Sequence, residues 1–141
     1  MGNRAVLTTR ENFDNNGIGV YLHWQGGKRS VKAFLDYCNM RGFRAPDEDN
    51  YGWARLTQVI ANFMGGDGLS VGVDTVNHLD CDNYDNGTYI IKGWKVVGHE
   101  YSEPSNDTYD RFKLLKEIDE AQPEEQKLGE SKIKELMKIV G

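Results

Sequence analysis

Two cysteines, three prolines and no long apolar run are all that this chain contains of the residues and stretches that mark three common protein classes. Cys38 and Cys81 form a lone pair without metal-type spacing, so a disulfide-stapled scaffold and a zinc module are set aside and reduced thiols inside a cell are expected. No stretch approaches the roughly 20 apolar residues of a membrane span, and no charged-then-apolar leader is expected. Met1-Gly2 begins like a myristoylation signal, but Val6 stands where Ser or Thr belongs, so lipidation is not expected. No internal repeat and no low-complexity tract is found. What remains is ordinary for a soluble globular domain: 141 residues, 38% hydrophobic and 28% charged, enough to bury a core without staples.

The net charge of -5 is unevenly spread. Residues 1–44 hold seven Lys or Arg against three acids, a balance of +4, whereas residues 45–91 hold Arg55 alone against eight acids, a balance of -7. The overall sign argues against general duplex DNA binding, which wants a broad basic surface. A small basic pocket in an acidic body remains compatible with it, as does head-to-tail pairing of copies.

Periodicity predicts an α+β fold, a mainly antiparallel sheet with two packed helices and a C-terminal helical tail. Strands are expected over 4–9 and 18–24, separated by the Asn15-Asn16-Gly17 turn signal. A helix capped by Ser30 should run to about Met40, with Gly42 as its terminating glycine. A second helix follows in the Asp49–Met64 stretch, a strand over 69–76, an Asn/Asp/Gly loop over 77–87, and a hairpin turning at Lys92-Gly93. The core domain is drawn as residues 1–101. Residues 102–141 form an amphipathic tail, with Phe112, Leu115 and Ile118 on one helix and Ile133, Leu136, Met137 and Val140 on the next. That tail must dock on its own sheet or on a neighbouring subunit.

The helix of residues 49–64 holds the richest chemistry. Leu56, Val59, Ile60, Phe63 and Met64 make its buried stripe, and Tyr51, Arg55, Gln58 and Asn62 stack on the neighbouring face. A ring, a guanidinium and two amides suit recognition of a base and a phosphate, and none is a natural proton shuttle. Trp53 adds a second ring. Around Gly26-Gly27-Lys28-Arg29-Ser30, two glycines free the backbone before a helix whose positive end points at the same place. Gly27, Lys28 and Arg29 are therefore candidate anion ligands, although Leu22 and Arg29 stand where a phosphate loop needs Gly and Ser/Thr. Tyr109 and Arg111 of the tail are further candidates, supplied by a neighbouring copy. The rival reading is a polar helix face and an ordinary strand-to-helix turn.

Other patterns are weaker. Gly68-Leu69-Ser70-Val71-Gly72 matches an esterase elbow, but a helix is predicted to enter it and a strand to leave, the reverse of what the chemistry needs. The loop from Asp74 to Gly87 fails as a calcium loop, with Tyr84 and Gly93 at ligand positions, and His78 with Cys81 completes no zinc set. Neither a catalytic constellation, a metal nor a cofactor is expected.

The blocks Met1-Gly2-Asn3-Arg4-Ala5-Val6, Gly17-Ile18-Gly19-Val20-Tyr21-Leu22-His23-Trp24 and Tyr51-Gly52-Trp53-Ala54-Arg55 resemble small proteins carried by phages and mobile elements of Gram-positive bacteria, over roughly residues 1–100. Among these the chain is most similar to the anti-Thoeris sponges. That resemblance implies a non-enzymatic oligomer in the host bacterial cytoplasm that sequesters a cyclic ADP-ribose immune signal. No residue role transfers position by position. The leading expectation is thus a binding protein for a small nucleotide-derived ligand, homo-oligomeric, without membrane or duplex nucleic acid partners. The alternative is an acidic inhibitor directed at a CRISPR or restriction system, and the third is a small hydrolase using Ser70 or His78.

Overall fold

A computed structural model describes residues 2–65, 70–103 and 110–140. The order of elements is β1 (Ala5–Thr8), α1 (Arg10–Asp14), β2 (Ile18–Leu22), α2 (Lys28–Met40), α3 (Asn50–Met64), β3 (Val71–Thr75), β4 (Thr88–Lys92), β5 (Lys95–Glu100), α4 (Arg111–Glu120) and α5 (Glu130–Met137). The strands form one sheet in the order β3-β2-β1-β4-β5, antiparallel throughout except that β1 and β4 run parallel at its centre. This is the α+β class that the periodicity predicts.

Alternation sorts the central strands onto two faces. Ala5, Leu7, Val20, Leu22, Tyr89 and Ile91 join the main core, facing a helical layer of α2, α3 and α4. Val6, Thr8 and Ile90 are also buried, on the opposite face, where α1 and the 76–87 loop cover them. Asn83 builds that loop. It is fully buried, donates to the carbonyls of Asp80 and Gly87, and accepts from the amides of Asp85 and Gly87. The Asx-rich segment is therefore folded by its own amide, which is what such residues do in turns.

The start of α2 and the hairpin turn depart from expectation, as does the short helix α1, which periodicity does not predict. Helix α2 begins at Lys28 with Gly27 as its N-cap, and Ser30 lies inside the first turn, buried, its hydroxyl donating to Gln25. The hairpin turns on Gly93-Trp94, one residue later than predicted, because Lys92 pairs with Lys95 and Gly93 takes the positive φ of +61°.

The tail packs on the helices of its own chain. Leu115 and Ile118 of α4 are fully buried in the same core as α2 and α3, and Ile133 of α5 joins them. Asp119, 3% exposed, fastens the α4–α5 junction, accepting from the Tyr37 hydroxyl at 2.6 Å and from the Leu128 and Gly129 amides at 2.7 and 2.9 Å. Among the described residues, no helix is long and apolar enough to cross a membrane.

Candidate functional site: two cationic clefts

A four-residue spacing stacks Lys28, Lys32 and Asp36 along one side of α2, with Arg29 and Ala33 beside them. Facing them are Trp94, Lys95 and Val96 from the β4–β5 turn and Arg111 and Leu114 from the start of α4. Together these residues enclose a cleft of about 540 Å³. Five cations (Lys28, Arg29, Lys32, Lys95, Arg111) meet one carboxylate (Asp36), a local excess of +4 in a chain of net charge -5. The positive end of the α2 dipole adds to that potential.

Arg111 is already committed. Its Nε and Nη2 both donate to Asp36 Oδ2, at 3.2 and 3.1 Å, and Nη2 also donates to the carbonyl of Val140. It thereby ties α2, α4 and the segment after α5 together. Burial pushes the Asp36 carboxyl up, with the Arg111 guanidinium pulling the other way. Three lysines, Lys28, Lys32 and Lys95, stand in the wall and make no ion pair within 4 Å among the described residues, although Lys95 and Lys32 act at longer range on Asp36. Trp94 is 7% exposed and donates from Nε1 to the Phe43 carbonyl at 2.7 Å, so the indole is a wall rather than an open stacking surface. The Gly93 amide donates to Asp47 at 2.9 Å, fixing the same turn against the 43–47 segment.

A second, shallower cleft of about 470 Å³ is lined by Gly42, Phe43, Arg44, Tyr51 and Arg55. Gly42, at φ +75°, ends α2 and turns the chain back, its amide and that of Phe43 donating to the carbonyls of Asn39 and Cys38. Asp49 caps α3 through the Tyr51 amide and pairs with Arg44 at 3.3 Å. The guanidinium carbons of Arg44 and Arg55 lie 5.6 and 5.9 Å from the Tyr51 ring centroid, within cation–π range.

The residues expected to form one site are therefore divided. Lys28, Arg29 and Arg111 come together in the first cleft, and Tyr51 and Arg55 in the second. Gly27 is the α2 N-cap beside the first, outside its lining. Trp53 is 8% exposed and packs in the core, so its ring offers no face to a ligand. Gln58 is exposed and lines neither cleft. Asn62 donates to Gln122 of the α4–α5 junction at 2.9 Å, a structural use of its amide. Tyr109 lies outside the described residues. Sequence reasoning missed Lys32, Asp36, Trp94 and Lys95. The i, i+4, i+8 row of Lys28, Lys32 and Asp36 was the available signal, whereas Trp94 and Lys95 reach the cleft only through tertiary packing.

Ser70 lies just before β3 and His78 just beyond it, with Gly68 and Leu69 of the elbow pattern outside the described residues. The His78 ring lies against Asp74, and the four strand residues from Ser70 to Asp74 span roughly 13 Å at a strand's usual rise, too far for a nucleophile and its base. His78 instead sits within hydrogen-bond reach of Asp74 and Thr75 on the surface. Among the described residues no group of three His, Cys, Asp or Glu is placed to hold a metal. Compared with known protein families, with curated proteins and with solved structures, the chain matches none.

Proposed function

We propose that this chain is a non-enzymatic binding protein that captures a small, phosphate-rich, nucleotide-derived ligand in the lysine-walled cleft. The carrying observation is the concentration of five cations around a single, already paired carboxylate in a space of about 540 Å³. That volume is in the usual range for small-molecule sites. Lysine ammoniums act as point charges and suit a polyphosphate better than a single planar carboxylate. The acidic remainder of the surface disfavours a long nucleic acid and leaves a compact polyanion as the fitting guest. Together with the resemblance to the anti-Thoeris sponges, this leads us to read the protein as a phage-borne sponge of a cyclic ADP-ribose type signal. It would act as an oligomer in the cytoplasm of the infected bacterium.

The test is calorimetric titration of the full chain with cyclic ADP-ribose isomers, cyclic dinucleotides and cyclic trinucleotides, with light scattering on the same sample. Saturable binding that weakens as salt rises is expected. The Lys28→Ala/Lys32→Ala double variant should lose at least tenfold in affinity, about 1.4 kcal/mol, without a lower melting temperature. The ligand should be recovered chemically intact after the protein is denatured. Conversion of the ligand, or affinity that ignores the two lysines, would sink the reading.

A further inference from the structure

The second cleft shares no lining residue with the first and differs from it in kind. Its aromatic group is open, since Tyr51 is 56% exposed, whereas Trp94 in the first cleft is 7% exposed. Both of its cations are guanidiniums, where three of the first cleft's five are ammoniums, and they gather on that ring. Arg55 has no carboxylate partner among the described residues, and Arg44 shares its charge with Asp49. Two arginines against one carboxylate leave an excess of +1, compared with +4 in the first cleft. Asp49, which caps α3 and pairs with Arg44, holds the positive excess to a level that suits a single anionic group.

We infer that the Phe43–Arg44–Tyr51–Arg55 cleft is a second, independent binding site for an aromatic ring carrying one phosphate, that is, a nucleoside monophosphate. Tyr51 and the planes of the two guanidiniums form the surface against which a base stacks, an interaction tolerant of base identity because every base has a π-face. The outward N–H groups of Arg55, with those Arg44 does not give to Asp49, receive the phosphate as charge-assisted hydrogen bonds. The fold prepares this arrangement from both sides. Gly42 turns Phe43 and Arg44 back from α2, and the Asp49 cap fixes the first turn of α3, so that Tyr51 and Arg55 project at a four-residue spacing toward them.

Titration of the full chain with AMP, UMP, adenosine and inorganic phosphate tests this. AMP and UMP should both saturate at one site, with adenosine and inorganic phosphate each at least about tenfold weaker. Arg55→Ala and Tyr51→Ala should each weaken AMP by about tenfold, Tyr51→Phe should stay near wild type, and Lys28→Ala/Lys32→Ala should leave AMP binding unchanged. Arg55 and Tyr51 are exposed, so melting temperatures should hold and a loss of binding cannot be ascribed to unfolding. Equal binding of AMP and inorganic phosphate would overturn the role of the ring, and equal binding of AMP and adenosine the role of the arginines. Loss of AMP in the lysine double variant with retention in Arg55→Ala would assign the nucleotide to the first cleft and overturn the second site. Absence of saturation would overturn it outright. Failure of the lysine-walled cleft to bind its polyphosphate leaves every one of these outcomes readable.

Discussion

Gly52 stands in the first turn of α3, where alanine would ordinarily improve a helix by roughly 0.5–1 kcal/mol. Here the backbone of the preceding loop passes too close. A Cβ at this position would overlap the nitrogen of Pro46 and the carbonyl of Ala45, both main-chain atoms that cannot swing aside. Gly52→Ala should therefore destabilise the protein by about 1–3 kcal/mol, against its helix propensity, as a lowered urea midpoint at constant m-value would show. The same close approach holds the 43–49 loop against α3 and so bears on both clefts. Glycine has a different task at residue 42, where the cost would come from a positive φ with open space around it.

At the scale of elements, the α4–α5 junction depends on one carboxylate. Asp119→Ala would strand the Tyr37 hydroxyl and the half-buried Leu128 amide, each at a cost of about 1–3 kcal/mol, and would leave the exposed Gly129 amide to solvent. The variant should lose several degrees of melting temperature, and limited proteolysis should cut first between α4 and α5. Most elements were legible in the sequence because their signals are local. The apolar stripe of α3 and its Asp49 cap are read directly from spacing, and so are the alternation of β3 and the glycine that ends α2. What is not local was not legible. Trp53 reads as a free ring until the core closes over it, and Asn62 reads as a ligand until Gln122 arrives from 60 residues further on. The short α1 hides in the polar stretch before the Asn-Gly turn, with no apolar period to announce it and no buried residue of its own. For the site, chain-local features found Lys28, Arg29, Tyr51 and Arg55, and only the fold could show that they belong to two clefts.

Across the whole molecule, most ion pairs among the described residues are surface contacts, and acidity acts on the few carboxylates that are hydrogen-bonded. The Arg4 side chain, and then its amide, hold Asp85 below the usual carboxylate range, and the Thr75 amide followed by His78 does the same for Asp74. A carboxylate whose folded-state pKa is depressed stabilises the fold fully above its ordinary value of 3.8, and that contribution is lost as pH falls through the lower folded value. Asp36, shifted upward by burial, works with the opposite sign, its ionisation costing stability as pH rises from 3.8 through its folded value. The urea midpoint, followed by tryptophan fluorescence, should fall as pH drops below about 4, and Asp85→Asn should start lower at neutral pH and fall less. One feature of the sheet reaches beyond the finished structure. Strand β1 lies at its centre, between its neighbour in sequence, β2, and the parallel strand β4, whose partner residues 88–90 follow Val6–Thr8 by some 80 positions. On a ribosome adding roughly 5–20 residues per second, the first strand waits on the order of several seconds for the strand that completes it. During that wait, β1 and β2 can offer only a hairpin with one bare edge, a template for pairing with another copy until β4 arrives.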